Sequence, residues 1–138
     1  MTKRIGFVAS AFDLLHAGHV LMLEDARSQC DYLIAGLQTD PTINRPDSKS
    51  KPVQSMFERY IQLKGCKFVD EIIPYDTEDD LYNILVTNKI DIRILGSDYE
   101  NRVDFTGSYL PIEKYFHQRH HDLSSSELRR RINNSADA

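Results

Sequence analysis

The alternation of short apolar runs with helix-periodic segments restricts what this chain can fold into more than any other feature. RIGFVASAF (Arg4 to Phe12), YLIAGL (Tyr32 to Leu37), EIIP (Glu71 to Pro74) and IDIRIL (Ile90 to Leu95) are short and mostly apolar or β-branched, and Lys114 to Gln118 is a weaker fifth candidate. Runs of that kind suit strands buried on both faces of a parallel sheet. Between them Met22, Leu23, Ala26 and Cys30 recur at helical spacing, as do Met56, Phe57, Tyr60, Ile61 and Lys64, and then Leu81, Ile84 and Leu85. Each set is expected to face the sheet. In SSSELRRRI, Ser124 followed by Glu127 is a capping-box signature that starts a final helix, with Leu128 and Ile132 one turn apart. The pattern is that of an α/β fold, a parallel sheet of about five strands flanked by helices.

A length of 138 residues fits one domain, residues 1–138, with the tail 133–138 (NNSADA) expected to fray. A net charge of −4 argues against a protein that grips nucleic-acid phosphates over a broad basic surface, so any phosphate should be bound locally. Two cysteines, Cys30 and Cys66, and an opening MTKRIGF without an apolar leader point to a reducing, cytoplasmic setting. No apolar run approaches the length of a membrane span.

In open α/β sheets the ligand site lies beyond the carboxyl ends of the strands. His16 and His19 follow the first strand; Asp40, Lys49 and Lys51 follow the second, in the proline-punctuated surface segment Thr39 to Pro52, whose length suits a lid. Gly96-Ser97-Asp98-Tyr99 opens an irregular stretch after the fourth strand, and Arg119 to Ser126 follows the fifth. With a helix beginning near Ala17 or Gly18, His19 lies in its opening turn, where unpaired N–H groups and the helix dipole favour an anion, and Gly18 lets a ligand or backbone approach closely. The same two histidines, taken alone, also suit a metal pair lacking obvious further ligands, or hydrogen-bonded packing. Lys49 and Lys51 are either solvated loop charges or cations that a lid closes over phosphate. Arg59 reads as a helix-surface charge. Arg129, Arg130 and Arg131 are expected to complement the C-terminal end of the last helix in solvent. Ser124, Ser125 and Ser126 offer hydroxyls and free N–H groups at its start. His117, His120 and His121 carry no assignment.

AFDLLHAGH resembles the G-T-F-D-x-x-H-x-G-H motif of the glycerol-3-phosphate cytidylyltransferase group of HxGH nucleotidyltransferases, and RHHDLSSS resembles that group's R-T-x-G-I-S-T-T. KFVDEII, GSDYE and the spacing between motifs are also similar. The resemblance implies a Rossmann-like sheet, a homodimer, and transfer of CMP from CTP to a small phosphorylated alcohol of the glycerol 3-phosphate kind, releasing pyrophosphate with Mg²⁺ or another divalent cation. Carried over by position, His16 and His19 would stabilise charge at the α-phosphorus, Asp13 would help hold the metal, and Lys49 and Lys51 would neutralise phosphates. Asp40 would contact acceptor or nucleotide, and Arg59 would reach the site. Asp98 and Tyr99 would lie near base and ribose, with Arg119 and Ser124, Ser125 and Ser126 around the phosphates. Ser10, Ala11 and Phe12 stand in the phosphate-approaching turn, where Ser10-Ala11 replaces the motif's Gly-Thr. His120-His121-Asp122 replaces its T-x-G, and Tyr99 an aromatic position that is often tryptophan. Related enzymes with the same histidine motif use ATP with sugar phosphates, and GSDY is reminiscent of those, so an adenylyltransferase is the alternative. A nucleotide-binding protein without turnover is a third reading. The partners implied are small molecules, with no nucleic acid and no membrane.

Overall fold

The computed structural model describes residues 2–136. The elements run β1 (Ile5–Ser10), α1 (Ala17–Ser28), β2 (Tyr32–Gln38), α2 (Met56–Lys64), β3 (Glu71–Tyr75), α3 (Glu78–Thr87), β4 (Ile92–Gly96), a single 3-10 turn (Ser97–Tyr99), β5 (Glu113–His117) and α4 (Ser125–Ala136). All four strand pairings are parallel and the spatial order is β3-β2-β1-β4-β5, a Rossmann-like α/β sheet. Chain order reverses between β1 and β4, and that switch point opens a crevice at the carboxyl edge of the sheet. No helix among the described residues is long and apolar enough to cross a membrane.

The two faces of the sheet are covered differently. Leu23 and Ala26 of α1 and Leu63 of α2 pack with Val8, Leu33, Ala35, Leu37, Ile92 and Ile94 on one face. Leu81 and Leu85 of α3 pack with Phe7, Ile34 and Tyr75 on the other. Strand alternation therefore sends the residue between Ile92 and Ile94, which is Arg93, to the α3 face, where it is paired in register with Phe7.

Helix α2 does not present the face expected of it. Arg59 and Leu63 are its buried residues, while Phe57 and Ile61 are 73 % and 47 % exposed. Ser55 caps the helix and exchanges hydrogen bonds with Glu58. The Arg59 guanidinium then turns inward onto backbone carbonyls and rotates the aromatic positions out to solvent. Helix α4 continues through Ala136, so residues 133–136, expected as tail, form its last turn; 137–138 lie outside the described residues. Arg129 to Arg131 accordingly sit in the middle of α4 rather than at its C-terminal end. Arg130 and Arg131 pair with Glu127 one turn back.

Candidate functional site

The turn from β1 into α1 is built on two residues with left-handed backbone, Phe12 (φ 49°) and Leu14 (φ 53°), a conformation that side chains with a Cβ rarely adopt and that marks a constrained loop. The Phe12 side chain is buried in the core and its N–H donates to Ser10 Oγ at 3.2 Å, so the serine that replaces the motif's glycine closes the turn with its own hydroxyl. Asp13 is also buried. Its carboxylate accepts from Val53 N (2.8 Å), Gln54 N (2.9 Å) and the Arg129 guanidinium (3.0 Å). Leu14 N donates to Gln54 Oε1 at 2.8 Å. Asp13 thus ties together the histidine loop, the residues that follow the 39–52 segment and α4.

His16 is the N-cap of α1. Its Nδ1 accepts from Gly18 N at 3.0 Å, and His19 Nδ1 accepts in turn from His16 N at 3.2 Å. The rings stack with centroids 4.0 Å apart. Because each Nδ1 is taken up as an acceptor, the neutral ring of each carries its proton on Nε2, leaving one N–H donor per ring for a ligand. Burial pushes the His16 pKa down, aided by nearby Arg119 and His121. Burial, then the neighbouring His16, drives His19 down to about 4 against the opposing pull of Asp13. Both rings are therefore neutral donors near pH 7. Gly18 serves this arrangement: a Cβ there would lie 2.8 Å from His16 Cε1 and 2.8 Å from the Leu123 carbonyl oxygen. Its missing side chain admits the protein's own imidazole and the approach to α4, the backbone alternative among the two uses expected of it.

A cavity of about 850 Å³ runs over the carboxyl edge of the sheet. Of the expected residues, Ser10, Ala11, Phe12, Asp13, His19, Lys49, Tyr99, Ser125 and Ser126 line it. A smaller adjoining pocket is lined by His16, Gly18, Arg119 and Ser124, with His19 and Ser125 shared between the two. The first turns of α1 and α4 face this junction, and two helix N-termini there favour phosphate oxygens. Ser124 Oγ accepts from Glu127 N at 3.0 Å and caps α4, while the Ser125 hydroxyl donates to the Asp13 carbonyl at 3.0 Å. Arg119 donates to the Leu123 carbonyl at 2.6 Å.

Four expected residues stand back from both cavities. Arg59 is 2 % exposed and donates to the carbonyls of Gln54 (3.2 Å), Ala11 (3.0 Å), Gln38 (2.7 Å) and Thr39 (2.7 Å). It shapes the strand ends from behind and is no surface charge. Asp40 accepts from the Thr42 N–H and hydroxyl and pairs with Lys51 at 3.7 Å; the Lys51 side chain is 79 % exposed. Asp98 is exposed and folds back over Gly96, where a Cβ would meet Asp98 Oδ1 at 2.6 Å.

Arg129 is the main addition to the expected set. It lines the cavity and is paired with Asp13, although its neighbours in the triple-arginine run stay with Glu127. His117 acquires a place too: its Nδ1 lies 2.7 Å from Asp25 Oδ2, an oxygen pair shared with the Tyr115 hydroxyl, and it lines the smaller pocket. Neither role is marked by the sequence around these residues, since the partners, Asp13 and Asp25, lie 116 and 92 positions away. For a divalent metal, no group of three or more His, Cys, Asp or Glu among the described residues is placed to hold one. The Asp13 carboxylate is engaged by two amides and a guanidinium, so the protein does not offer a metal cage there.

Residues 7–131 match the Cytidylyltransferase-like family. The bifunctional protein HldE of Campylobacter concisus (strain 13826) is 36 % identical over 100 residues, 72 % of this chain and 21 % of that protein. HldE of Rhodospirillum rubrum is 40 % identical over 96 residues, 70 % of this chain and 19 % of its own. The chain thus spans about a fifth of the length of these relatives. Among solved structures, the lipopolysaccharide core biosynthesis protein from Thermoplasma volcanium GSS1 superposes with a TM-score of 0.61 at 23 % identity, covering 98 % of this chain and 90 % of that one. Pantoate-beta-alanine ligase from Francisella tularensis, complexed with beta-gamma ATP and beta-alanine, superposes with a TM-score of 0.63 at 20 % identity, covering 92 % and 65 %. These two show a shared fold.

Proposed function

The chain belongs to the Cytidylyltransferase-like family, and from that premise we propose that it is a nucleotidyltransferase that moves AMP from ATP to a small sugar phosphate and releases pyrophosphate. The observation that carries this reading is the pair of neutral imidazoles whose Nδ1 atoms are both occupied, so that each keeps an Nε2–H donor beside the start of α4, where the smaller pocket joins a cavity large enough for a nucleotide and an acceptor. An oxygen of the acceptor phosphate attacks the α-phosphorus of the triphosphate. The bond from that phosphorus to the bridging oxygen breaks, and pyrophosphate leaves with the electron pair. No enzyme nucleophile is needed, and an ionised phosphate needs no base. The protein's part is alignment and donors aimed where charge accumulates. His16 and His19 supply neutral donors, which need no proton transfer to act. Arg129, Ser126 and Lys49 supply the rest of the phosphate cradle, and Lys51 joins it by closure of the 39–52 segment. A divalent ion accompanying the triphosphate would supply further positive charge there, and the described residues of this chain form no cage of their own for it.

ATP is preferred over CTP as the donor because the HldE relatives, at 36–40 % identity, favour the adenylyl reading over the glycerol-3-phosphate cytidylyl one. GSDY after β4 agrees with that choice. The CTP reading keeps the two motif resemblances and their spacing in its favour.

Pyrophosphate release measured with ATP, CTP, GTP and UTP against a panel of sugar 1-phosphates and glycerol 3-phosphate separates the readings. Turnover with ATP and a sugar phosphate is expected; turnover confined to CTP and a phosphorylated alcohol overturns the donor and acceptor proposed, and binding without turnover overturns the enzyme. His19→Ala is expected to lower turnover by roughly 10²–10³, as for loss of one oxyanion donor.

A further inference from the structure

The α3 end of the large cavity holds buried donors that the protein satisfies only in part. Arg93 is 6 % exposed, yet among the described residues it makes one hydrogen bond, from its guanidinium to the Thr106 carbonyl, and no carboxylate lies within ion-pair distance. A guanidinium carries five N–H donors. Its face packs 5.3 Å from the Phe105 ring centroid, which fixes its plane. Arg45, on the 39–52 segment, approaches Glu78 at 3.6 Å through one terminal nitrogen while its Nε is buried without a partner. Gln38, 4 % exposed at the end of β2, has a buried side-chain nitrogen that is equally unpartnered. All three residues line the same cavity. The Gln38 amide can present either of its ends, but the two arginines can only donate.

A buried guanidinium with no direct ion pair is expensive to maintain, by several kcal/mol in general. The Glu78 carboxylate, which lines the same cavity, offsets part of that cost through space but is shared with Arg45, so the two arginines together carry one more charge than it neutralises. Folding gives Arg93 one task, holding the Thr106 carbonyl and the Phe105 ring of the stretch after β4, and that task uses one of its five donors. The recess also lies on the opposite side of the sheet from α1, so the cavity passes over the ends of β1 and β4 between the imidazoles and Arg93. A molecule whose attacking phosphate sits at the imidazoles would extend its other end into this recess.

We propose that the Arg93–Arg45–Gln38 recess is the acceptor's specificity subsite and takes a second anionic group, phosphate or carboxylate, carried at the far end of the acceptor from the phosphate that attacks. The inference rests on the nucleotidyltransferase reading for the identity of the acceptor end, and it distinguishes this chain's acceptor from a sugar 1-phosphate that is otherwise neutral. Planar guanidinium groups bind both anions through paired N–H donors, and Gln38 adds one contact to an oxygen.

The test measures binding directly, by calorimetry, with three probes: glucose 1-phosphate, glucose 1,6-bisphosphate and glucuronic acid 1-phosphate. The wild-type protein is expected to bind at least one of the doubly anionic probes about tenfold or more tighter than glucose 1-phosphate, and which one it prefers tells phosphate from carboxylate. That preference should shrink to about threefold or less in Arg93→Met and in Arg45→Ala, while ATP affinity stays within about twofold of wild type. Arg45→Ala lies on a loop and leaves the sheet intact, so it carries the test if loss of the Thr106 contact unfolds Arg93→Met. Equal binding of all three probes, no binding of either doubly anionic probe, or a loss of ATP affinity matching the loss of probe affinity overturns the proposal. Because no turnover is read, a preference retained in a protein that releases no pyrophosphate contradicts the proposed function and leaves the subsite standing.

Discussion

Arg59→Met isolates the part played by a charge that never meets solvent. Arg59 donates to four backbone carbonyls, those of Ala11, Gln38, Thr39 and Gln54, which belong to the ends of β1 and β2 and the entry to α2. The bond to Gln38 is buried, and its loss leaves an acceptor that water cannot reach, worth about 1–3 kcal/mol. The other three are part-buried, and their carbonyls can be rehydrated in part, at about 1 kcal/mol each. Removing the guanidinium also removes its own desolvation, which burial registers as a pKa pulled below the usual arginine value. The net loss should be about 3 kcal/mol, near the range for breaking a buried charged contact. Against a total stability of about 5–15 kcal/mol this is a large fraction, and it should lower Tm by roughly 10 °C. Urea unfolding followed by far-UV circular dichroism reads it as a lower midpoint at unchanged slope. Arg59→Lys should recover little, since one ammonium cannot span carbonyls on three chain segments. A loss under about 1 kcal/mol accompanied by a collapse of ATP affinity would refute the reasoning, because it would make Arg59 a ligand of the nucleotide instead of a brace behind it.

His19 sets a pH dependence of known sign. Its folded pKa of about 4 lies below the ordinary 6.5, so the unfolded chain takes up the proton first; its contribution is full above about pH 6.5 and is lost as pH falls toward about 4, on the order of 3 kcal/mol. Unfolding titrations from pH 7 to pH 4 should show that slope flattened in His19→Gln. Lys51→Ala removes an exposed side chain paired only with Asp40, so stability should change by less than about 0.5 kcal/mol while the ATP KM rises clearly; an unchanged KM would return Lys51 to a solvated loop charge. The homodimer implied by the resemblance has a candidate surface in the exposed Phe57 and Ile61 on α2, and sedimentation should show a dimer that Phe57→Glu splits; a monomeric wild type contradicts it.

The order of strands and helices could be read from the chain because burial on two faces leaves continuous apolar runs, and both ends of all five strand candidates fall within two residues of β1 to β5. The two histidines were legible for a related reason: a helix start is written locally, in the residues that cap it. What the letters hid depended on partners distant in the chain. Arg129 belongs to a run that reads as helix-surface charge, and only Asp13, 116 positions earlier, picks one arginine out of three. Arg59 bonds to carbonyls, which every residue has and none advertises. With Arg59 turned inward, Phe57 and Ile61 had to turn out, against their hydrophobicity. The metal role of Asp13 came only from its place in the motif; the amides of Val53 and Gln54 that occupy it come from just past the 39–52 segment. Arg93 sits inside an apolar run whose alternation shows which face it takes, but not that a cavity waits there.

The central claim is that the α-phosphorus of a triphosphate changes partners beside His16 and His19. Its most direct measurement follows separate labels on the α- and γ-phosphates of ATP during a turnover with a sugar phosphate. The account predicts that the α label appears in the nucleotide-sugar product and the γ label in pyrophosphate. A γ label found on the sugar or as orthophosphate would place the chemistry at a different phosphorus and contradict it.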